Sequence, residues 1–396
     1  MCKWEWKKLG DVCDIKCGAT PLKSDKSFWE NGSIPWFTVD DIRNQGRLIK
    51  ETQKRVTEKA LNKLTLFPKD TVLLCCTASV GEYALTEIPL TCNQQFNGLV
   101  IKKTNILYSK YLFHFASTLK EQLLGLSGKT TIDFISNSKV RQIVIPIPPL
   151  SEQKRIVKNL DEKFAKIDKL KTTAEINLKN AKEIFNAELE KVYIEKNTWG
   201  KAKLEELVSS DCSLGYGIVQ PGDEFPNGVP VVRPVDLTAK YVTKQNLKHV
   251  NPKISDGYKR TILKGGEILF CVRGTTGVVS IASEELNGCN VTRGISPLRF
   301  DVLETALYMY YCFQTKKVSE EIQLKTKGTA LKQINISDLR NLLIPLPPLS
   351  EQKRIVAHLD KLSEKVKRLE ENYTRTIADC EELKKSILKQ TFQGEN

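Results

Sequence analysis

Residues 145–157 read IPIPPLSEQKRIV, and residues 344–356 read IPLPPLSEQKRIV. The two strings are identical at twelve of thirteen positions, and the second begins 199 residues after the first in a chain of 396 residues. A match of this length at about half the chain length indicates an internal duplication. The sequence therefore predicts two copies of one structural plan.

The repeat also predicts where a helix begins. Three prolines in each copy exclude a helix there and favour an extended entry, because proline fixes φ and lacks an amide hydrogen. Ser151 and Ser350 follow the prolines, and serine is a favourable N-cap residue. We expect each serine to cap a long helix.

Apolar residues recur every three or four positions after each serine, which is typical of an amphipathic helix. The first helix should run for about 44 residues, or roughly 65 Å at 1.5 Å per residue. Its predicted apolar stripe is Ile156, Leu160, Phe164, Ile167, Leu170, Ala174, Leu178, Ala181, Phe185, Leu189 and Val192. The second stripe is Ile355, Leu359, Leu362, Val366, Leu369, Tyr373, Ile377, Cys380, Leu383 and Ile387.

The two helices could be surface helices on separate cores, but a narrow apolar stripe of this length favours burial against a second helix. The first helix ends where the second globular part begins, near residue 197. Because the ends of a domain commonly lie close together, the second helix should start near the same place and run antiparallel to the first. A pseudo-twofold axis would then relate the two copies.

The two globular parts, each of which precedes one of the helices, repeat each other at weaker similarity. Short apolar runs such as 71–74 and 98–101, bounded by turn residues, predict short strands, and residues 108–124 predict one helix packed on them. The anchors that match are 34–42 with 229–237, Gly81 with Gly277, 92–93 with 289–290, and Arg141 with Arg340. Strongly divergent segments between matching anchors indicate two separately adapted binding surfaces.

These patterns predict an α+β fold, with two similar globular α/β domains separated by two long helices that pair as an antiparallel coiled coil. The predicted boundaries are 1–144 for the first domain, 145–196 for the first proline turn and helix, 197–343 for the second domain, and 344–396 for the second proline turn and helix.

The positive charge lies on the globular parts. The net charge is +14, yet residues 152–196 hold 11 Lys and Arg against 9 Asp and Glu, and residues 351–396 hold 10 against 9. The remainder holds 40 against 29. This distribution favours a polyanionic partner, either nucleic acid or an acidic protein.

The cysteine pattern and hydropathy predict a cytoplasmic protein. The eleven cysteines are odd in number and show no CxxC spacing, and the first ten residues lack the apolar core of a signal peptide. No apolar run approaches the roughly 18 residues that a membrane helix needs. We therefore expect reduced thiols and no membrane partner.

Motifs for a catalytic centre are missing from the sequence. Residues 126–130 read LSGKT, but the first glycine of a phosphate-binding loop would fall at position 123, which is Leu123. There is no strand-linked GxGxxG and no Asn-Pro-Pro-aromatic or Asp-Pro-Pro-aromatic string. The three histidines, His114, His249 and His358, have no ligand spacing. We expect no metal, no cofactor and no catalytic residue in this chain.

The duplicated motifs resemble the DNA specificity subunit of type I restriction-modification enzymes. The resemblance rests on the IPxPPLSEQKRIV turns with their helices, on Cys17-Gly18-Ala19-Thr20-Pro21 leading to Phe28-Trp29 and Ile34-Pro35-Trp36, and on Gly215-Tyr216-Gly217-Ile218-Val219 leading to Gly228-Val229-Pro230. It covers essentially the whole chain.

This resemblance implies a non-catalytic subunit. Each globular domain would be a target recognition domain that reads one half of a bipartite, asymmetric sequence in double-stranded DNA, and the helices would set the unread spacer. Two modification subunits would bind S-adenosylmethionine and methylate adenine. Restriction subunits would use ATP, and the Mg²⁺ that the complex needs would also belong to the partner subunits.

Polar residues in turns between the predicted strands are the candidates for DNA contact, because their donors and acceptors match base edges and phosphates. In the first domain they are Thr77, Ser79, Asn93, Gln94, Gln95, Lys129 and Thr130. In the second they are Arg273, Thr275, Thr276, Asn290, Thr292, Arg293, Lys327 and Thr329. Asn93 and Asn290 are equally compatible with holding a turn. Arg273 and Arg293, which replace Thr77 and either Gln95 or Phe96, are the stronger candidates.

The identity of the two repeat copies predicts a shared contact with the modification subunits. The candidates are Gln153, Arg155, Gln352 and Arg354. Three alternative functions are also compatible with parts of the sequence: a coiled-coil interaction scaffold, a DNA-binding adaptor without sequence specificity, and a fused or solitary DNA enzyme. The basic, divergent domains disfavour a pure scaffold, and the enzyme would need motifs that the sequence lacks.

Overall fold

The computed structural model describes residues 4–126, 134–194, 199–212, 214–328 and 332–393. The chain divides into two compact units, one formed by Met1–Glu175 with Arg375–Asn396 and the other by Ile176–Thr374. We call them unit 1 and unit 2. Each unit contains one globular part and a portion of both long helices.

Unit 1 begins with short strands and helices. Its strands are β1 Glu5–Lys8, β2 Cys13–Cys17, β3 Ile34–Phe37, β4 Leu48–Ile49, β5 Lys54–Val56, β6 Val72–Cys75, β7 Tyr83–Thr86, β8 Thr91–Cys92, β9 Phe96–Ile101 and β10 Val144–Ile147. Its α-helices are α1 Leu9–Val12, α2 Val39–Gln45, α3 Ser109–Ala116, α4 Lys120–Leu126, α5 Asn137–Gln142 and the first long helix, α6 Leu150–Ile194, which continues into unit 2. Two 3₁₀ turns cover Lys26–Phe28 and Glu58–Asn62.

Unit 2 has a similar order of elements, with some differences between the two lists. Its strands are β11 Gly200–Lys203, β12 Val229–Val232, β13 Tyr241–Val242, β14 Lys248–Val250, β15 Ile268–Cys271, β16 Val279–Ala282, β17 Asn290–Val291, β18 Ile295–Leu298, β19 Thr326–Lys327, β20 Gln333–Ile334 and β21 Leu343–Leu346. Its α-helices are α7 Leu204–Leu207, α8 Pro252–Asp256, α9 Leu303–Cys312, α10 Lys316–Lys325, α11 Ile336–Arg340 and the second long helix, α12 Leu349–Gln393. Its 3₁₀ turns cover Pro234–Asp236, Lys259–Thr261 and Glu284–Leu286.

Each unit is built on one mixed sheet with a fully buried strand in its interior. In unit 1 the order is β2-β9-β6-β7-β4, and in unit 2 it is β13-β16-β15-β18. Strand β6 reads VLLC and β15 reads ILFC, and all eight residues are buried. A short apolar run without alternation is typical of a strand covered on both faces. The position of each strand determines where the turn that follows it lies.

A second, three-stranded sheet shows the duplication most directly. Its order is β5-β3-β8 in unit 1 and β14-β12-β17 in unit 2, with the last pair parallel in both. Trp36 pairs with Thr91, and Val231 pairs with Asn290. Thr91 and Asn290 are therefore equivalent, and the predicted match of residues 92–93 with 289–290 was wrong by two positions.

The repeat itself forms a strand followed by a long helix. Strand β10 pairs antiparallel with β1, and β21 pairs with β11 in the same way. Helices α6 and α12 each contain 45 residues. The backbone N–H groups of Glu152 and Gln153 donate to the carbonyl of Pro149. Each helix therefore begins just after its last proline, and the prediction that Ser151 and Ser350 are N-caps was wrong.

Within each unit the two long helices pair antiparallel, as predicted. In unit 1, Lys171 Nζ donates to Glu381 Oε1 at 2.6 Å, and Lys384 donates to Asp168. In unit 2, His358 Nε2 lies 3.0 Å from Glu188 Oε1. The residue numbers on one helix rise as those on the other fall.

Most of the predicted apolar stripe on each helix is buried or half-buried, but three members are exposed. Leu170 is 53% exposed, Leu383 is 50% exposed and Leu369 is 40% exposed. These three positions lie outside the contact face, so their assignment to it was wrong.

The helices also complete the core of each globular part. In unit 1, Phe392 of α12 packs on Tyr111, with ring centroids 5.2 Å apart. In unit 2, Tyr193 of α6 packs on Tyr308, with centroids 5.4 Å apart. Burial of one such aromatic side chain contributes roughly 1.5–3 kcal/mol, so each globular part and the long helices stabilise each other.

The single helix predicted over 108–124 is two helices, α3 and α4. The hydroxyl of Thr118 donates to the carbonyl of Phe115 at 2.8 Å, and that of Ser117 donates to the carbonyl of His114. Side-chain bonds of this kind compete with the helical ladder and end α3. In the described ranges, no helix is both long and apolar enough to cross a membrane.

Candidate nucleic-acid interface

Two matching turns follow the central strands β6 and β15. In unit 1 the turn comprises residues 77–79, and in unit 2 it comprises residues 273–275; we call them the strand-end turns. Gly81 N donates to the carbonyl of Cys75 at 3.0 Å, and Gly277 N donates to that of Cys271 at 2.9 Å. Both glycines have φ near +90°, a conformation that favours glycine. The predicted match of Gly81 with Gly277 is confirmed.

A second segment lies beside each strand-end turn. Thr77 forms an isolated antiparallel bridge with Phe134, and Arg273 forms the same bridge with Gln333. Phe134 is 58% exposed, whereas Gln333 Nε2 donates to the hydroxyl of Tyr216 at 3.1 Å. The bridging positions therefore carry an aromatic ring in unit 1 and an amide in unit 2.

A third segment supports the turn from the other side. Cys76 N donates to the carbonyl of Gln95, and Val272 N donates to that of Gly294, both at 2.8 Å. Gln95 is therefore equivalent to Gly294, and Arg293 corresponds to Gln94. The prediction that Arg293 replaces Gln95 or Phe96 was wrong by one or two positions.

The structure divides the predicted DNA-contacting residues into three groups. The exposed or half-exposed ones are Thr77, Ser79, Gln94, Gln95, Arg273, Thr275, Arg293 and Lys327. The buried ones are Asn93, Thr276, Asn290 and Thr292. Lys129, Thr130 and Thr329 lie outside the described residues.

The four buried residues hold the scaffold. Asn290 Oδ1 accepts from Thr261 at 2.7 Å, and Asn290 Nδ2 donates to Ser255 at 3.0 Å. Asn93 Nδ2 donates to Gln95 Oε1 at 2.8 Å. Thr276 and Thr292 donate to the carbonyls of Lys332 and Val232, both at 3.3 Å. Their polar groups are satisfied inside the protein, so the prediction of DNA contact is corrected for these four.

Two arginines give this site in unit 2 its positive charge: Arg273 in the strand-end turn and Arg293 in the segment beside it. Among the described residues, neither Arg273 nor Arg293 forms an ion pair. By contrast, Arg233 pairs with Asp236 at 2.9 Å, and Arg299 pairs with Glu267 at 2.9 Å. Since an arginine without an acidic partner keeps its five donors available, the unit 2 turn can bind anionic or acceptor-rich groups.

A basic cleft opens beside the same turn. Its volume is about 420 Å³, and it is lined by Leu214, Gly215, Tyr216, Asp256, Gly257, Tyr258, Lys259, Arg260, Thr261 and Arg340. Lys259 and Arg260 are exposed. Tyr216 lines the cleft and also binds Gln333, so it joins the cleft to the strand-end turn. Cationic groups in a cleft of this kind can hold a phosphate.

Arg340 has a structural role in addition to lining the cleft. Its Nη2 donates to the carbonyl of Leu214 at 3.2 Å, and Arg141 Nη2 donates to that of Ile15 at 2.8 Å. The predicted match of Arg141 with Arg340 is confirmed.

Five residues of this candidate interface were not predicted from the sequence: Phe134, Tyr216, Lys259, Arg260 and Gln333. Phe134 and Gln333 are separated by 199 residues, the offset of the repeat. The duplication itself would have identified that pair. Lys259 and Arg260 lie in a segment with no matching anchor, so the sequence held no signal for them.

The repeat residues predicted to contact partners fall into two kinds. Gln153 is fully buried: its Oε1 accepts from Tyr108 N at 2.9 Å, and its Nε2 donates to the carbonyls of Ile106 and Pro148 at 2.8 Å. Gln352 is also buried, accepting from Thr305 and donating to Pro347 at 2.9 Å. Both glutamines attach a globular part to a helix, which corrects the prediction that they contact a partner.

The arginines of the repeat are available at the surface. Arg155 is 64% exposed and binds Glu152 through two hydrogen bonds of 2.7 and 2.6 Å. Arg354 is 63% exposed and binds Glu351 in the same way, at 2.9 and 2.8 Å. The hydrogen bonds from Arg155 hold the pKa of Glu152 below its ordinary value. The two helices thus present the same fixed pair of charges.

Titratable residues elsewhere do not form a metal centre in the part of the chain that the structure describes. His114 is buried and lies 2.8 Å, Nε2 to Oδ1, from Asp161. His114 is therefore a core residue that attaches α3 to α6.

Comparison with known proteins identifies relatives over the whole chain. A family model described as the type I restriction modification DNA specificity domain matches twice, at residues 1–180 and 196–377. The MjaIX specificity subunit of Methanocaldococcus jannaschii is 28% identical over 389 residues, covering 92% of this chain and 87% of that protein. The EcoR124I/EcoR124II specificity subunit of Escherichia coli is 34% identical over 167 residues, or 40% of each chain.

Solved structures share the fold. A chain from a study of complex assembly and conformational transition in the type I R-M system aligns over 100% of both chains, with a TM-score of 0.81 and 22% identity. The HsdS subunit of Thermoanaerobacter tengcongensis aligns over 99% of this chain and 97% of its own, with a TM-score of 0.61 and 21% identity. With two family matches over most of its length, this chain belongs to the type I restriction modification DNA specificity family.

Proposed function

We propose that this chain is the sequence-specific DNA-binding subunit of a type I restriction-modification complex. Each unit reads one half of a bipartite, asymmetric target in double-stranded DNA. The observation that carries this function is the pair of strand-end turns. They have the same backbone hydrogen bonds and different side chains, which suits two related readers of two different sequences.

The strand-end turns and the third segments beside them supply base-reading groups. Arg273, Thr275 and Arg293 in unit 2 and Thr77, Ser79 and Gln94 in unit 1 are at least partly exposed. Side chains of these types donate to or accept from base edges in the major groove, where each base pair presents a distinct pattern. Gln95 and Lys327 flank these groups and complete the proposed base-reading set.

The cleft of unit 2 grips the DNA backbone. Lys259 and Arg260 contact phosphates, which fixes register and orientation without reading sequence. Each neutralised phosphate releases condensed counterions. A plot of the logarithm of the binding constant against the logarithm of salt concentration should therefore have a slope of about −0.9 per phosphate contact.

The chain itself carries no catalytic role in this proposal. Modification subunits bind S-adenosylmethionine and methylate adenine, and restriction subunits use ATP and Mg²⁺. The pairs Glu152–Arg155 and Glu351–Arg354, whose arginines are exposed, each contact one modification subunit, which gives two per chain. The long helices set the number of unread base pairs between the two half-sites.

Selection from random double-stranded DNA tests this function. The chain and its modification partner, together and separately, are mixed with the DNA pool, and the bound fraction is sequenced after a gel shift. We expect a shared bipartite sequence to be enriched whenever the chain is present with its partner. Enrichment of the same sequence by the partner alone would overturn the proposal.

The same experiment separates the alternatives. A coiled-coil scaffold would bind the partner and leave the DNA unshifted. An adaptor without specificity would shift DNA and enrich nothing. A solitary DNA enzyme would methylate DNA when the chain is incubated alone with S-adenosylmethionine.

A further inference from the structure

The two strand-end turns share a backbone frame but differ in their side chains, and the difference bears on which base the unit 2 turn reads. The shared frame consists of the thiol bonds from Cys75 to the carbonyl of Thr77 and from Cys271 to that of Arg273, both 3.3 Å. Matching backbone bonds join each turn to its second segment, from Ile135 N at 2.9 Å and from Ile334 N at 3.0 Å. The Cα atoms of equivalent residues therefore occupy matching positions in the two turns, and only the side chains differ.

Arg273 is the first residue of the unit 2 strand-end turn. Its amide donates to the carbonyl of Gly294 at 3.3 Å, and its neighbour Gly274 donates to that of Lys332 at 2.8 Å. Gln333 lies across the bridge from Arg273 and is held by Tyr216. The backbone of Arg273 is thus fixed from both sides, which limits the entropy lost when its side chain binds a target.

Gly294, whose carbonyl accepts from the amide of Arg273, has no side chain that could cover the guanidinium group. A Cβ added at Gly294 would lie 2.4 Å from Pro234 Cγ, so the backbone is closely packed there and a larger residue does not fit without movement. Unit 1 has Gln95 at this position. Together with the absence of an ion pair for Arg273 among the described residues, this leaves a guanidinium fork with free donors.

A fork of this kind has one preferred base. Guanine presents two acceptors, O6 and N7, on its major-groove edge, and arginine binds both at once. Adenine, cytosine and thymine lack that pair of acceptors. Phosphate is also bound by arginine, but carries no sequence information.

We infer that Arg273 reads a guanine, so that the half-site recognised by unit 2 contains a G·C base pair at a fixed position. Thr77, the equivalent residue of unit 1, cannot make this bidentate contact. This inference rests on the proposed function and adds the base and the residue that reads it. The inference gives Arg273 a base-reading role, in contrast to Lys259 and Arg260, which are proposed to bind phosphate.

The test is modification mapping with the assembled complex of chain and modification partner. A DNA library in which each position of the wild-type target is varied is methylated by wild type, Arg273→Ala and Arg273→Lys. We expect Arg273→Ala to reduce discrimination at one G·C position of one half-site by about 5- to 140-fold, the range for one bidentate pair. Arg273→Lys keeps the charge but not the fork, so discrimination at that position should fall too.

Two matched variants give the controls. Arg260→Ala should lower methylation of all sequences alike and leave the base preference unchanged, with a smaller salt slope. Thr77→Ala should leave the unit 2 half-site unchanged. If Arg273→Ala does not fold, Arg273→Lys decides the matter alone.

The remaining outcomes would contradict either the proposed function or the role of Arg273. A wild-type complex without sequence preference would refute the proposed function. A bipartite preference that both Arg273 variants leave intact would refute only the reading role of Arg273. Relaxation at an A·T position, or a uniform loss at every sequence, would show that Arg273 does not read guanine.

Discussion

His114 Nε2 in α3 lies 2.8 Å from Asp161 Oδ1 in α6. In unit 2 the matching acid, Asp360 in α12, accepts hydrogen bonds from Tyr311 and from Lys240. Equivalent carboxylates, Asp161 and Asp360, therefore attach each globular part to a long helix. In unit 1 the partner of this carboxylate is a histidine, the residue type whose ordinary pKa is nearest to neutral pH.

This pair predicts an acid-sensitive attachment in unit 1. Burial lowers the pKa of His114 below 6.5; Asp161 acts in the opposite direction, and Lys110 adds to the lowering. Because the unfolded chain binds the proton more readily, the free energy of unfolding should fall as pH drops from about 6.5 towards the folded pKa. Denaturant unfolding at about pH 7.5 and 5.5 compares wild type with His114→Gln. Equal acid sensitivity in both would contradict this assignment.

The buried amide of Gln153 should matter more for stability than any exposed residue of the repeat. Gln153→Met leaves Tyr108 N and the carbonyls of Ile106 and Pro148 without this partner, and an unsatisfied buried group costs about 1–3 kcal/mol. We expect a total loss of about 2–4 kcal/mol in the free energy of unfolding. Lys154→Ala, an exposed neighbour, should change it by less than about 0.5 kcal/mol. A similar loss in both variants would show that Gln153 does not hold the junction.

The exposed arginines of the repeat should determine how many modification subunits bind. Arg155→Glu should weaken one subunit at least about tenfold, or ~1.4 kcal/mol, and Arg354→Glu should weaken the other. Native mass spectrometry should then show one modification subunit per chain for each single variant and none for the double variant. Lys179→Glu, in the middle of α6, is the control and should retain two. Two subunits on the double variant would place the contact elsewhere.

The architecture could be predicted from sequence because its signals repeat and are long. The duplicated proline turns, the apolar spacing after them and the shared anchors near Gly81 and Gly277 each predict one element twice. The sequence could not show which leucines face the partner helix. Leu170, Leu369 and Leu383 fit the spacing but are exposed, since helix contact depends on side chains of the other helix.

The candidate site was harder to predict than the fold. Asn290 and Thr292 are polar residues in turns, yet their groups are satisfied by buried partners such as Thr261. Polar character in a turn does not distinguish a residue that binds DNA from one that holds the turn. Tyr216 and Gln333 come together only through tertiary contact, at a separation of 117 residues.

The long helices should determine the spacer between half-sites. The boundary between the units falls between Glu175 and Ile176 in α6 and between Thr374 and Arg375 in α12. Inserting four residues at both places keeps the apolar stripe nearly in phase and adds about 6 Å, which corresponds to one or two base pairs. Modification mapping should show a longer spacer between unchanged half-sites. Changed half-sites with the original spacer would show that the helices do not set the gap.

The most direct test of the central claim is the modification map of a host that carries this chain with its modification subunit. We predict methylated adenines within one asymmetric target made of two defined half-sites, separated by a spacer of fixed length and free sequence. Exchange of this chain for a relative, with the modification subunit unchanged, should replace both half-sites. A target that stays the same after the exchange would contradict the claim that this chain chooses the sequence.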